Sequence, residues 1–266
     1  MTKLMHVNCG TLRVPSFPTV VCHCLALQDD GGVVLIDAGI GLLDVQQPTD
    51  RLGTELIEAA GFQLNAHDTA IARLEAMGIS CEQVRHIVLT HADPDHAGGL
   101  ADFPEATVHI AAEELANLRS GHPRYVAAQF DHGPRWQTHD DSESTDWFGI
   151  PSRRLDCTCQ AEVLLVPLPG HTAGHCGVAI GQDGKWLLHV GDAYYLKAEL
   201  DDPNHPAGQL AAMRADDDNL RQSSLGTLRR LRDNHADTIE MIGYHDITEL
   251  PAECIDWDES VPSEPA

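Results

Sequence analysis

Basic residues are scarce in this 266-residue chain: 17 Lys and Arg stand against 41 Asp and Glu, a formal net charge of -24. Such a surface repels polyanions, and only Arg229, Arg230 and Arg232 concentrate positive charge. Nucleic acid is therefore excluded as an expected partner. A neutral or cationic small molecule fits better, although many acidic chains are simply soluble. Cys-x-x-Cys pairs are also missing. Among eight cysteines the closest spacings, Cys22/Cys24 and Cys157/Cys159, skip one residue, which suits neither a zinc ribbon nor a disulfide framework. Residues 1–10 lack an apolar core long enough for a secretory signal. Reduced thiols and a cytoplasmic location are the expectation. Val163 to Gln182 carries no charge, yet its prolines, glycines and two histidines exclude a membrane helix. No internal repeat is visible.

What the chain does contain is His91-Ala92-Asp93-Pro94-Asp95-His96, two imidazoles and two carboxylates in six residues. Pro94 and the following Gly98-Gly99 argue against a helix here, so the stretch reads as a metal-binding loop. An apolar, β-branched run, Ile87 to Thr90, stops immediately before it, where a buried strand would end. Three further runs end alike. Val163 to Val166 leads toward His171, Trp186 to Val190 toward Asp192, and Ile239 to Tyr244 toward His245. Any one of these is as readily a polar residue closing a strand. Strand ends converging on a cleft are a common way to assemble a site, and His with carboxylate ligands suits Zn, Fe or Mn.

The length holds one large α/β domain, and 42% hydrophobic residues supply a sizeable core. Ile71, Leu74 and Met77 recur at helical spacing before Gly78, a C-terminal cap. Acid first (Asp216 to Asp218) and base last (Arg229 to Arg232) around Leu220, Leu225, Leu228 and Leu231 predict a helix over 216–235. Strand-rich portions are expected over roughly 1–110 and 160–250.

At these motifs the chain resembles the metallo-β-lactamase superfamily. Its His-x-His-x-Asp-His loop, later Gly-His-Thr-x-Gly-His segment, Gly-Asp and last His match His91 to His96, Gly170 to His175, Asp192 and His245, in order. Leu35-Ile36-Asp37-Ala38-Gly39 is similar to the family's first motif. The resemblance implies an α/β, four-layer αββα sandwich, two mixed sheets face to face with helices outside. It also implies one domain over 1–250, with an acidic, solvated tail over 251–266. Residues 111–160 would be an inserted helical and loop segment near the active site. Trp136 and Trp147 within it are candidates for a substrate-facing lid or for core packing, and His132 and His139 read as surface histidines.

Carried onto matching positions, the family's roles give two divalent ions. His91, Asp93 and His171 would hold one, Asp95, His96 and His245 the other, and Asp192 would bridge them. Asp37, His175 and Asp246 would form the outer shell. Zn is the first expectation. Asp93 stands where most members have His, and three carboxylates against two divalent cations would favour harder Mn or Fe. In the superfamily's flavodiiron proteins a Glu takes this position.

The resemblance implies a metal-bridged hydroxide as nucleophile, with Asp95 relaying a proton to the leaving group. Tyr195 follows Asp192 by three residues, as in the superfamily's acyl-homoserine lactonases, and would donate a hydrogen bond on the oxyanion side. A core tyrosine is the competing reading. The expected reaction is cleavage of an ester or lactone of a small molecule, with a phosphodiesterase or a diiron redox protein as alternatives. Oligomeric state is left open.

Overall fold

The computed structural model describes residues 2–255. The strands are β1 (Lys3–Leu12), β2 (Val20–Asp29), β3 (Gly32–Ile36), β4 (Phe62–Gln63), β5 (Val84–Val88), β6 (Thr107–Ala111), β7 (Arg135–His139), β8 (Ser144–Trp147), β9 (Ile150–Leu155), β10 (Glu162–Pro167), β11 (Cys176–Gln182), β12 (Lys185–His189) and β13 (Ile239–Ile242). They form a seven-stranded sheet in the order β4-β1-β2-β3-β5-β6-β7 and a six-stranded sheet in the order β13-β12-β11-β10-β9-β8. Both are mixed: β3, β5, β6 and β7 run parallel, as do β12 and β13, while the other pairs are antiparallel. This is the α/β sandwich expected from the motifs.

Continuous apolar runs such as Val33-Val34-Leu35-Ile36 arise because each sheet is covered on both faces. Val34 and Ile36 point between the sheets, where they meet Val163, Leu165 and Val178. Val33 and Leu35 point to the outer side, among Leu74 and Ile79. The second sheet's outer face is closed by Leu225, Leu228 and Leu231 of the helix Asp218–His235. That helix begins where Asp217 accepts hydrogen bonds from the backbone N–H groups of Asn219 and Leu220. Its buried leucines contribute about 1.5–3 kcal/mol each, so truncating Leu228 would loosen its seat on the sheet.

Two expectations need correction. Pro94 does not prevent a helix: it occupies the first position of the short turn Pro94–Ala97, where its missing N–H has no partner to lose. Residues 111–160 are not helix and loop alone. Beyond the helix Ala112–Arg119 they supply the edge strands β7 and β8, and β9, which pairs with both β8 and β10. Trp147 is buried with Leu164 and Leu188 on the second sheet's outer face, and Trp136 packs on Phe130. Neither tryptophan lines the cavity at the candidate site. Of the proposed tail, 252–254 form a short turn, and 256–266 lie outside the described residues.

Candidate metal centre

The strand ends do converge. His91, Asp93, Asp95 and His96 follow β5, His171 follows β10, Asp192 follows β12 and His245 follows β13. Gly191 makes the turn after β12 with φ +55°, and a Cβ there would lie 2.7 Å from His175 Nε2. Asp192 lies at the middle of the group. Its Oδ2 is 3.4 Å from His171 Nε2, 3.3 Å from His245 Nε2 and 3.9 Å from His91 Nε2, while Oδ1 is 3.2 Å from His96 Nε2. Asp95 Oδ2 is 3.5 Å from His245 Nε2 and 3.9 Å from His96 Nε2. Asp93 Oδ2 is 3.2 Å from His171 Nε2 and 3.5 Å from His91 Nε2.

Two metal-compatible triads result: His91, His171 and Asp192, and Asp95, His96 and His245. The fit to cations is chemical as well as geometric. His91 Nε2, His96 Nε2 and Asp192 Oδ1 are buried without a hydrogen-bond partner among the described residues, a costly arrangement unless a ligand takes those lone pairs. Without cations, burial would lower His96 and His245, but Asp192 and the neighbouring carboxylates outweigh it and raise both. Binding a metal must therefore displace protons.

Each histidine is aimed by its other nitrogen where a partner exists. His96 Nδ1 lies 2.9 Å from Asp37 Oδ2, and Asp37 also accepts from the N–H and hydroxyl of Thr90. Asp37 thus has the orienting place expected of it. His245 Nδ1 is 3.0 Å from the Val21 carbonyl. His175 acts at one remove, its Nε2 accepting from the backbone N–H of Asp192 and its Nδ1 facing the Leu168 carbonyl. Asp246 touches no candidate ligand; it accepts from Lys197 and Thr248 N–H groups, because its carboxylate turns away to cap the following turn.

Two residues escaped the sequence reading. Arg124 forks onto Asp93, Nε to Oδ1 at 2.7 Å and Nη2 to Oδ2 at 3.0 Å, and its Nη1 reaches the His171 carbonyl and Asp216. Burial would raise the Asp93 pKa; Arg124 outweighs it and holds Asp93 well below the usual carboxylate range. The guanidinium also changes the charge argument for hard metals: three carboxylates with one buried cation beside them leave the same excess as two carboxylates and a neutral His. Glu114, fully buried, accepts from the Ala92 and Gly174 N–H groups and from Thr172 and Tyr125 hydroxyls. It therefore ties the loop after β5 to the loop after β10. An acid in the first turn of a helix, at no fixed offset from the ligands, gave no signal of this.

Tyr195 is buried, with its ring centroid 5.9 Å from that of His171 and 5.4 Å from that of His245. Burial first, then Asp192 and Asp93, pushes its hydroxyl well up, so it keeps its proton at neutral pH. His132 is exposed, as expected, but His139 is half-buried and joins a separate histidine cluster.

The metallo-β-lactamase superfamily model matches residues 18–239. A probable metallo-hydrolase of Mycobacterium tuberculosis is 37% identical over 255 residues, covering 92% of this chain and 77% of the relative. An N-acyl homoserine lactonase of Azorhizobium caulinodans is 28% identical over 172 residues, 62% of each chain. Among solved structures, an N-acyl homoserine lactone hydrolase with N-hexanoyl-L-homoserine bound at its catalytic metal centre superposes with a TM-score of 0.69 at 18% identity, covering 92% and 94% of the two chains. The chain belongs to the metallo-β-lactamase superfamily. No helix among the described residues is long and apolar enough to cross a membrane.

Proposed function

We propose that this metal-dependent hydrolase opens the ester or lactone bond of a small molecule bearing an apolar arm. The observation that carries the reading is a cavity of about 240 Å³ that brings apolar side chains, among them Leu12, Phe17, Phe62 and Leu210, together with Asp95, Asp192 and Tyr195. Such a cavity suits a ligand with one greasy end and one polar, reacting end. The lactonases among the relatives and structural neighbours support the same class.

Two divalent ions, when bound, supply a nucleophilic hydroxide at neutral pH and polarise the scissile carbonyl. The chain's own groups do the rest. Asp192 spans the two triads, so its loss removes a donor from both. Asp95 faces the cavity, its side chain 15% exposed, and is placed to pass a proton to the departing alkoxide. Tyr195, protonated and lining the same cavity, donates to the carbonyl oxygen as charge develops on it. Zn is the first choice of metal. Asp93 no longer singles out Fe or Mn, because Arg124 offsets its charge.

The test is a panel of lactones and aryl esters with lengthening acyl chains, alongside bis-nitrophenyl phosphate, each assayed after loading with Zn, Mn or Fe. kcat/KM is expected to rise with acyl length and to exceed that for the phosphodiester, and Asp192→Ala to abolish turnover. A preference for the phosphodiester, or indifference to chain length, would overturn the reading.

A further inference from the structure

A second cluster of metal-ligating side chains lies far from the centre described above. His86 of β5 and His109 of β6 stand side by side, His86 Nδ1 2.9 Å from His109 Nε2. Cys157, in the loop after β9, brings its Sγ within 3.9 Å of the same His109 nitrogen. The three donors lie within 4.8 Å of one another, and His109 and Cys157 are buried. β5 ends at Val88, between His86 and the loop that carries His91, and the two centres share no ligand.

We propose that His86, His109 and Cys157 form a site for one thiophilic transition ion, Zn(II) or copper, which clamps the first sheet to the second. Tetrahedral zinc, with bonds of about 2.0 Å to nitrogen and 2.3 Å to sulfur, spaces its donors about 3.3–3.6 Å apart. The two spacings at His109, 2.9 and 3.9 Å, bracket that range, and no pair of the three donors is more than 4.8 Å apart. Imidazole nitrogen with thiolate sulfur selects zinc or copper over hard ions. The other nitrogen of His109 has a partner that can orient the ring, its Nδ1 lying 2.9 Å from His139 Nε2. On the other side His86 Nε2 lies 3.2 Å from Thr158 Oγ1.

Protonation states favour a cation. Burial, then the neighbouring imidazoles, lowers His109 to about 3, and burial lowers His86 and His139 too, so no ring carries a positive charge that would repel a cation at neutral pH. Burial pushes the Cys157 thiol up, so the ion must displace its proton, as coordinating metals do. The balance is one metal–sulfur bond formed and one proton released to solvent. The clamp is topological: His86 and His109 belong to the seven-stranded sheet, whereas Cys157 follows β9 of the six-stranded one. Without the ion, the same contacts reduce to a chain of neutral imidazoles sharing protons.

Cobalt(II) distinguishes these two states, because none of the seven donors at the other centre is a thiol. Metal-stripped protein is titrated with cobalt while its absorbance and thermal midpoint are followed. Wild type is expected to take three equivalents per chain, the one at this cluster bringing a thiolate-to-cobalt charge-transfer band and a raised midpoint. Cys157→Ser should take two, show no band, and hydrolyse its best substrate at the parent rate. If Cys157→Ser does not fold, His86→Asn, altering a partly exposed ring, should likewise lose the band. Saturation of wild type at two equivalents with no thiolate band would overturn the proposal. So would a band that survives Cys157→Ser or His86→Asn unchanged.

Discussion

Arg124 holds both oxygens of Asp93 in a two-point fork, with both side chains less than a tenth exposed. A carboxylate at this place in the metal loop is thereby kept from making the centre more anionic than a histidine would. The sequence shows the acid but not its neutraliser, which lies 31 residues away in a loop with no periodic pattern.

Removing that positive charge should make water at the centre harder to ionise. Arg124→Met is expected to move the acid limb of the kcat/KM profile to higher pH by roughly one unit, the scale on which a close charge acts. Metal content measured on the same samples separates this from simple loss of the ions. An unmoved profile at full metal loading would show that Arg124 does not act on the centre's charge.

Asp93 and Arg124 should also behave as one unit in folding. In the metal-free protein, Arg124→Met strands a buried carboxylate and is expected to cost about 3–5 kcal/mol, whereas Asp93→His leaves the guanidinium with Asp216 as its remaining carboxylate partner. The double variant should recover part of both losses, a coupling on the order of 2–3 kcal/mol. Urea unfolding of the four proteins in chelator measures it, and additive losses would mean that the pair is not energetically linked.

Glu114 carries a different load, because four donors end on one buried carboxylate. Glu114→Gln keeps the shape but turns an amide NH2 toward some of those donors. The expected loss is about 2–4 kcal/mol, in line with hydrogen bonds to a charged group left unmade. Since Ala92 and Thr172 flank candidate ligands, zinc affinity should fall as well. A stable variant with parent affinity would show that the two loops hold their places without this tie.

The pH dependence of stability has a clear sign at His23. Burial, then His189 and His6, lowers its pKa to about 2, and its Nε2 shares a 2.8 Å contact with His6 Nδ1. A histidine depressed in the folded state takes up its proton only on unfolding. Stability is therefore unaffected above about pH 6.5 and falls below it by about 1.4 kcal/mol per pH unit for this group, until the folded value is reached. His23→Gln should reduce the slope of stability against pH between 6 and 4.5 by one proton's worth. Parallel slopes would mean that His23 is not held neutral.

The candidate ligands were legible because each follows an apolar run, and because four of them fall within six residues. Their convergence follows from strand order, which places β5 and β12 in different sheets whose ends share one edge of the sandwich. β7 was harder to see: Arg135, Gln137 and Thr138 are exposed, so this edge strand shows almost no apolar pattern. The histidine cluster was hidden for another reason. His86, His109 and His139 are scattered singly through three strands, and only parallel pairing sets them on a diagonal, each two residues out of register with the next. His139 alone looked like a surface histidine, and half of it is buried.

Tyr195 offers the sharpest test of the chemistry, because its two readings predict different losses. If the hydroxyl donates to the developing oxyanion, Tyr195→Phe removes one such donor and should lower kcat by about 10²-fold, with little change in KM. If the ring only fills space between His171 and His245, the variant retains that packing and kcat stays near the parent value. Metal content should be unchanged in either case, since the phenol is not among the close donor sets. Zinc stoichiometry and steady-state kinetics on one preparation are therefore sufficient. A parent-like kcat would remove Tyr195 from the mechanism and leave carbonyl polarisation to the ions alone.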